Sequence, residues 1–130
     1  MTDLISPTDA EAWLREPTRS NAMDDKELFA YHAAMCSRAL KICRAKNHDY
    51  ATGGNAGPFA NFARVEAMGV MTTEQGFLVR MIDKMSRLST FAKAGKLKVA
   101  DEGVQDTLMD LVNYTVLLSA YIHDKGKDNG

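Results

Sequence analysis

The residues best suited to chemistry are Glu102, Asp106, Asp110 and Asn113, which fall at intervals of four, four and three. On a helix that spacing lines them along one side. Asp106 and Asp110 sit among apolar residues, in a segment whose composition otherwise belongs in a core. Like charges one turn apart repel, so something has to balance them. One solution is a divalent cation held by oxygen ligands, with Mg²⁺ the ion suited to carboxylates and phosphates. The other is an ion pair with Arg80, Lys84 or Arg87 from a neighbouring helix. Spacing alone favours the ion pair, and both remain open at this point.

Arg80, Lys84 and Arg87 themselves run at four and three, forming a basic strip with Asp83 beside it. Such a strip can be a solvated face or can hold phosphate oxygens, arginine bidentately. Gly53, Gly54 and Gly57 do not make a phosphate loop: neither standard glycine spacing is met and no Lys-Ser/Thr pair follows. No Ser-His-Asp or Cys-His catalytic set stands out. His32, His48 and His123 are scattered and read as surface or packing residues.

These side chains need long helices to position them. Asp24 and Glu27 form a capping-box pattern, after which Leu28, His32, Met35, Cys36, Ala39, Leu40 and Cys43 make one apolar stripe at helical spacing. That helix is expected to end before Asp49. Residues 47–72 contain a Gly-rich loop, then a short helix around Phe59, Asn61, Phe62, Val65 and Met68, closed by Gly69. A second long helix starts at Thr72 or Thr73, with Gln75 or Glu74 in its first turn, Phe77, Leu78, Met81, Met85, Leu88 and Ala92 as its buried stripe and Gly95 as terminator. A third starts near Asp101 and presents Val104, Leu108, Leu111, Val112, Thr115, Leu118 and Ile122. Val116, Leu117 and Tyr121 add apolar surface elsewhere on it. A helix apolar on more than one side is buried on more than one side, which predicts a homodimer or larger oligomer.

The expected fold is therefore all-α: a small bundle of three long helices with a Gly-rich connecting loop, spanning residues 23–124. An N-terminal arm (1–22) and a frayed polar tail (125–130) flank it. With 130 residues, 45% of them hydrophobic, the chain is long enough for a real core. A net charge of -1 argues against nucleic-acid coating or a membrane-surface role. There is neither a signal-peptide pattern nor an apolar run long enough for a membrane span. Cys36 and Cys43, two helical turns apart, are too distant for a disulfide. They read as small core residues in a reducing, cytoplasmic compartment.

Several segments together resemble a known family. They are Lys46-Asn47-His48-Asp49-Tyr50, Asn61-Phe62, Arg80 through Leu88, and Asp106-Thr107-Leu108-Met109-Asp110-Leu111-Val112-Asn113-Tyr114. Their order and content resemble the nucleotide-modification-associated domain 1 family of phage and bacterial proteins, which looks like a relative of the all-α MazG-like nucleotide pyrophosphatases. The resemblance covers roughly residues 28–122. It implies a MazG-like helical fold that handles a nucleotide or modified nucleotide, with Mg²⁺, as a nucleoside triphosphate pyrophosphohydrolase or as a binding module without turnover. The residues alone also allow a purely structural helical oligomer, with acids and bases paired across helices. Under the resemblance, Glu102, Asp106 and Asp110 would be the later acidic group and hold the metal. Arg80, Lys84 and Arg87 would meet the phosphates, and Tyr50, Asn61 and Phe62 would close over the base, with Asn113 lining the site. The early Glu-x-x-Glu pair of MazG-like enzymes is missing; the first helix has Glu27 near its start, and Asp49 is the expected replacement.

Overall fold

A computed structural model describes residues 22–51, 57–95 and 103–129, with side chains for 22–47, 57–95 and 103–127. The described residues form four helices and no strand: α1 (Asp25–Ala51), α2 (Ala60–Ala67), α3 (Thr73–Ala94) and α4 (Val104–Asn129). Three are long and one is short. No helix among them is long and apolar enough to cross a membrane. The expected arm (1–22) and the proposed cap Asp101 lie outside the described residues, save Ala22. The chain divides into two compact units, Met1–Lys46 and Asn47–Gly130.

In the first unit, α1 starts where the acidic pattern places it. Asp24 N–H donates to Glu27 Oε1 (3.3 Å) and Glu27 N–H to Asp24 Oδ1 (2.8 Å), so two orphan donors of the first turn are satisfied reciprocally. The helix runs three residues past its expected end. Neither glycine nor proline occurs between Asp25 and Ala51, so the backbone meets no breaker there. The expected stripe is buried only in part. Ala39 is buried, as is Ala34 outside the stripe; Met35 and Cys43 are half-buried, whereas Leu28, His32, Cys36 and Leu40 are exposed. Cys36 is therefore not a core residue, while Cys43 is half-buried.

The second unit is built on α3 and α4. The pairs Glu74–Lys125, Phe77–Tyr121 and Lys84–Asp110 ascend one helix while descending the other, so the two are antiparallel. Thr72 caps α3: its hydroxyl accepts from Gln75 N–H, and Gln75 Oε1 accepts from Thr72 N–H at 2.9 Å. Gly95 ends the helix at φ 75°, a left-handed position that glycine adopts without a Cβ clash.

α2 packs on α3. Phe62 stacks on Phe77 with centroids 3.9 Å apart and meets Tyr114 edge-on at 5.9 Å, while Phe59 meets Tyr121 edge-on at 5.5 Å. Gly76 makes the close approach possible. A Cβ there would stand 3.0 Å from Val65 Cγ2 and 3.2 Å from the Phe62 carbonyl oxygen. Glu66 reaches from α2 to the start of α3, accepting from both Thr73 N–H (2.7 Å) and Thr73 Oγ1 (3.0 Å). A carboxylate at a helix N-terminus also suits the helix dipole.

Two expectations for this unit are corrected. Leu78, Met85 and Ala92, expected in the buried stripe of α3, are exposed, because the face turned to α4 carries Lys84 instead. The tail does not fray at Asp124. α4 continues to Asn129, and Lys125 Nζ reaches Glu74 Oε2 at 3.0 Å. On α4, Thr115, Val116 and Ile122 are exposed, while Leu108, Leu111, Val112 and Leu118 are half-buried.

Candidate functional site

The antiparallel register brings two of the three sequence-derived groups together. Lys84 of α3 and Asp110 of α4 form an ion pair at 2.8 Å, with side chains only 15% and 20% exposed. Arg80 and Arg87 lie one turn either side of Lys84 along α3, and Asp106 and Asn113 one turn either side of Asp110 along α4. The basic strip and the acidic row are thus opposite rows of one helix pair. Lys84 is the member turned inward, while Arg80 and Arg87 are exposed. Arg80 makes no ion pair among the described residues.

The two acids expected to share a cleft are in different environments. Asp110 is half-buried and its charge is balanced by Lys84. Asp106, expected to face inward, is exposed. It lies in the first turn of α4, where a carboxylate suits the helix dipole without needing a basic partner. Asn113, one turn beyond Asp110, is half-buried, and its Nδ2 is buried without a hydrogen bond. An unmade bond at a buried amide is costly, so this donor is poised to meet an acceptor.

Of the expected base-closing residues, Asn61 and Phe62 are described with their side chains. Phe62 is buried in the aromatic cluster with one face against Phe77, so its ring serves packing. Asn61 is half-buried beside it on α2. Asp49 and Tyr50 lie on α1, with side chains outside the described set, and Glu102 lies outside the described residues altogether.

The described residues do not by themselves fit a metal centre. No group of three or more His, Cys, Asp or Glu side chains able to hold a metal occurs among them. Asp110 is already paired with a cation, which leaves Asp106 as a single carboxylate in the described part of the row.

Sequence reading missed Glu66, Gly76, Thr73 and Thr107. Thr73 and Thr107 are buried, the latter donating to the Gly103 carbonyl at 3.5 Å. The signal for Gly76 was a glycine in the first turn of a helix that had no need of a breaker there. The pairing of Glu74 with Lys125 was also unremarked. The Glu74 carboxyl is held below its ordinary value by its own backbone N–H at the helix start and then by Lys125, and Lys125 is raised by its hydrogen bond to Glu74.

Neither a curated relative nor a solved structure matches the chain. The model of one family, nucleotide modification associated domain 1, matches residues 46–122, more than half of the sequence, including α2, α3 and most of α4. The chain belongs to the nucleotide modification associated domain 1 family.

Proposed function

We propose that this protein binds a nucleotide along the α3–α4 face, with Arg80 and Arg87 meeting the phosphates and Asn113 Nδ2 donating to a ligand oxygen. The observation that carries this reading is the row itself. An inward ion pair, Lys84–Asp110, is flanked by exposed arginines on one helix and by a buried, unbonded amide donor on the other. Family membership supports the ligand class, since the family is defined by association with nucleotide modification. Guanidinium groups suit phosphate oxygens because they offer planar, bidentate donors. Mg²⁺ would arrive with the phosphates, with Asp106 and Glu102 the carboxylates to receive it. Release of pyrophosphate from a nucleoside triphosphate, in a MazG-like manner, is the activity that this pair of acids would support.

Binding without turnover is favoured by one specific observation: Lys84 neutralises Asp110, which removes one of the three expected metal carboxylates. A single experiment tests both. The full-length protein is incubated with a panel of nucleoside mono-, di- and triphosphates, with and without Mg²⁺, and binding and pyrophosphate release are followed in parallel. Arg80→Ala should weaken binding at least tenfold, equivalent to about 1.4 kcal/mol, with no change in melting temperature. Asp106→Asn should abolish pyrophosphate release if there is turnover. Binding with no release in the wild type selects the binding module. No binding of any nucleotide at millimolar concentration, or an Arg80→Ala variant that binds like wild type, overturns the reading.

We also propose self-association. Leu78, Ile82 and Met85 recur at spacings of four and three on α3 and are exposed, as are Val116 and Ile122 on α4. Exposed apolar surface of that kind marks an interaction face. Light scattering should give a dimer or larger at micromolar concentration, and a monomer mass would refute the proposal.

A further inference from the structure

α1 carries an exposed surface that the nucleotide reading does not use. Phe29, Ala33, Cys36 and Leu40 follow one another at intervals of four, three and four, and all are exposed, Phe29 by 68% and Leu40 by 50%. Alternating steps of three and four are the spacing of a coiled-coil seam, which faces a partner helix along one edge. Ala34 and Ala39, the buried residues of this helix, are not members of the seam. Its two middle residues are small, so a second helix can approach closely there, with a large side chain at each end of the contact. The charges of α1 are sorted along its length. Asp24, Asp25 and Glu27 lie at its start, no acid occurs from Leu28 to Lys46, and that stretch carries Arg38, Lys41, Arg44 and Lys46.

We propose that α1 pairs antiparallel with α1 of a second copy of this chain, through Phe29, Ala33, Cys36 and Leu40. Charge selects both the occupant and its direction. Two parallel copies would set acid beside acid and base beside base. Antiparallel copies set the acidic start of each helix beside the basic end of the other, and also align the helix dipoles favourably. The seam suits that direction, because it reads the same from either end: intervals of four, three and four, with sizes large, small, small, large. Phe29 then falls opposite the partner's Leu40 and Ala33 opposite the partner's Cys36, with Asp25 level with the partner's Lys46 at the flank. The seam lies outside the residues matched by the family model, so the pairing is a property of this chain beyond the matched segment. It is independent of the nucleotide site and of the α3 and α4 surface proposed above for self-association.

The test is sedimentation of the full-length protein across micromolar concentrations, with circular dichroism confirming the helix content of each variant. Ile82→Glu, at an exposed position of α3, disables the other surface, so association that survives it belongs elsewhere. Ile82→Glu should still form a dimer. Adding Phe29→Glu or Leu40→Glu should weaken that dimer at least tenfold, and raising the salt concentration should weaken it too. In the same background Asp25→Lys should weaken the dimer, and Asp25→Lys combined with Lys46→Glu should restore it, since opposite charges again face each other. A parallel pair gains nothing from that exchange. Under mild oxidation Ala33→Cys should cross-link to the partner's Cys36, read by mass spectrometry of the joined peptides. The proposal fails if Ile82→Glu is already a monomer, in which case the α3 surface alone associates and the earlier reading stands. It fails if Phe29→Glu and Leu40→Glu leave the dimer unchanged, which would show that the seam is covered within its own chain or by another partner. A charge exchange that does not restore the dimer, or a cross-link from Cys36 to the partner's Cys36 in preference, refutes the antiparallel direction and with it the proposal. If Ile82→Glu associates as wild type does while Phe29→Glu alone gives a monomer, the α3 surface is the reading that falls.

Discussion

The start of α3 and the rest of the helix lie in different environments. From Thr73 to Phe77 the helix is held on several sides. Glu66 takes two donors of Thr73, α2 lies against Gly76, and Phe77 is wholly buried between Phe62 and Tyr121. From Leu78 to Ala92 no residue is fully buried, and Leu78, Val79, Ile82 and Met85 are exposed. What holds the second half to α4 includes a charged contact, Lys84–Asp110. The first half is shape-determined and intolerant of added volume. The second is chemically varied and open, which is where binding functions can be placed without dismantling a core.

The sharpest way to break that contrast is at Phe77. Phe77→Ala removes a wholly buried ring and should cost about 3–5 kcal/mol, read as a large fall in melting temperature. A loss under about 1 kcal/mol would mean that the aromatic cluster does not hold the unit together. Gly76→Val forces atoms into the Val65 and Phe62 contacts and should cost about 1–3 kcal/mol by overpacking. Chemical denaturation should show that Leu78→Val, at the next residue but on the exposed face, costs far less.

Lys84→Met probes the open half. Removing one partner of a buried pair costs about 3–5 kcal/mol. Because both side chains here keep some exposure, about 1–3 kcal/mol is expected. Asp110→Asn combined with Lys84→Met should recover part of it, since no unbalanced charge remains. If Asp110 instead serves as a metal ligand, Mg²⁺ and a nucleotide should stabilise Lys84→Met more than wild type, and that result would reassign the residue.

The smallest effect is at the Glu74–Lys125 contact, which ties the end of α4 to the start of α3. Glu74 is lowered from its ordinary value of 4.5. Its contribution is therefore complete above that value and is lost as pH falls through the lower folded value. Lys125 is raised above 10.5, so its contribution is complete below that value and is lost as pH rises through the higher folded one. Stability measured across pH should show a slight acid-side loss in wild type that Glu74→Gln lacks. Equal acid sensitivity of the two proteins would show that this contact contributes nothing measurable, as many exposed pairs do.

Helix boundaries were legible where the signal is local. Asp24 with Glu27, Thr72 with Gln75, and Gly95 each act within one turn, and each behaves as its sequence pattern predicts. The opposition of basic and acidic rows was legible as two spacings, and the ion pair foreseen among three candidates is Lys84–Asp110. Which face of each helix is buried was not legible. In the α1 stripe Ala39 is buried but Leu28, His32, Cys36 and Leu40 are exposed, and the α3 stripe loses Leu78 and Met85, because burial depends on what a neighbour can fit against, and apolar spacing does not carry that information. For the same reason Phe62, a plausible base-stacking ring by sequence, is a core residue.

The sequence by itself determined the helical class, the caps, and the two charged rows, because capping and side-chain spacing are set by residues a few positions apart. Tertiary structure decided which charge turns inward and which glycine must be a glycine. Those outcomes depend on the antiparallel register of α3 and α4 and the approach of α2 at Gly76. They are relations between surfaces, which no local run of residues encodes.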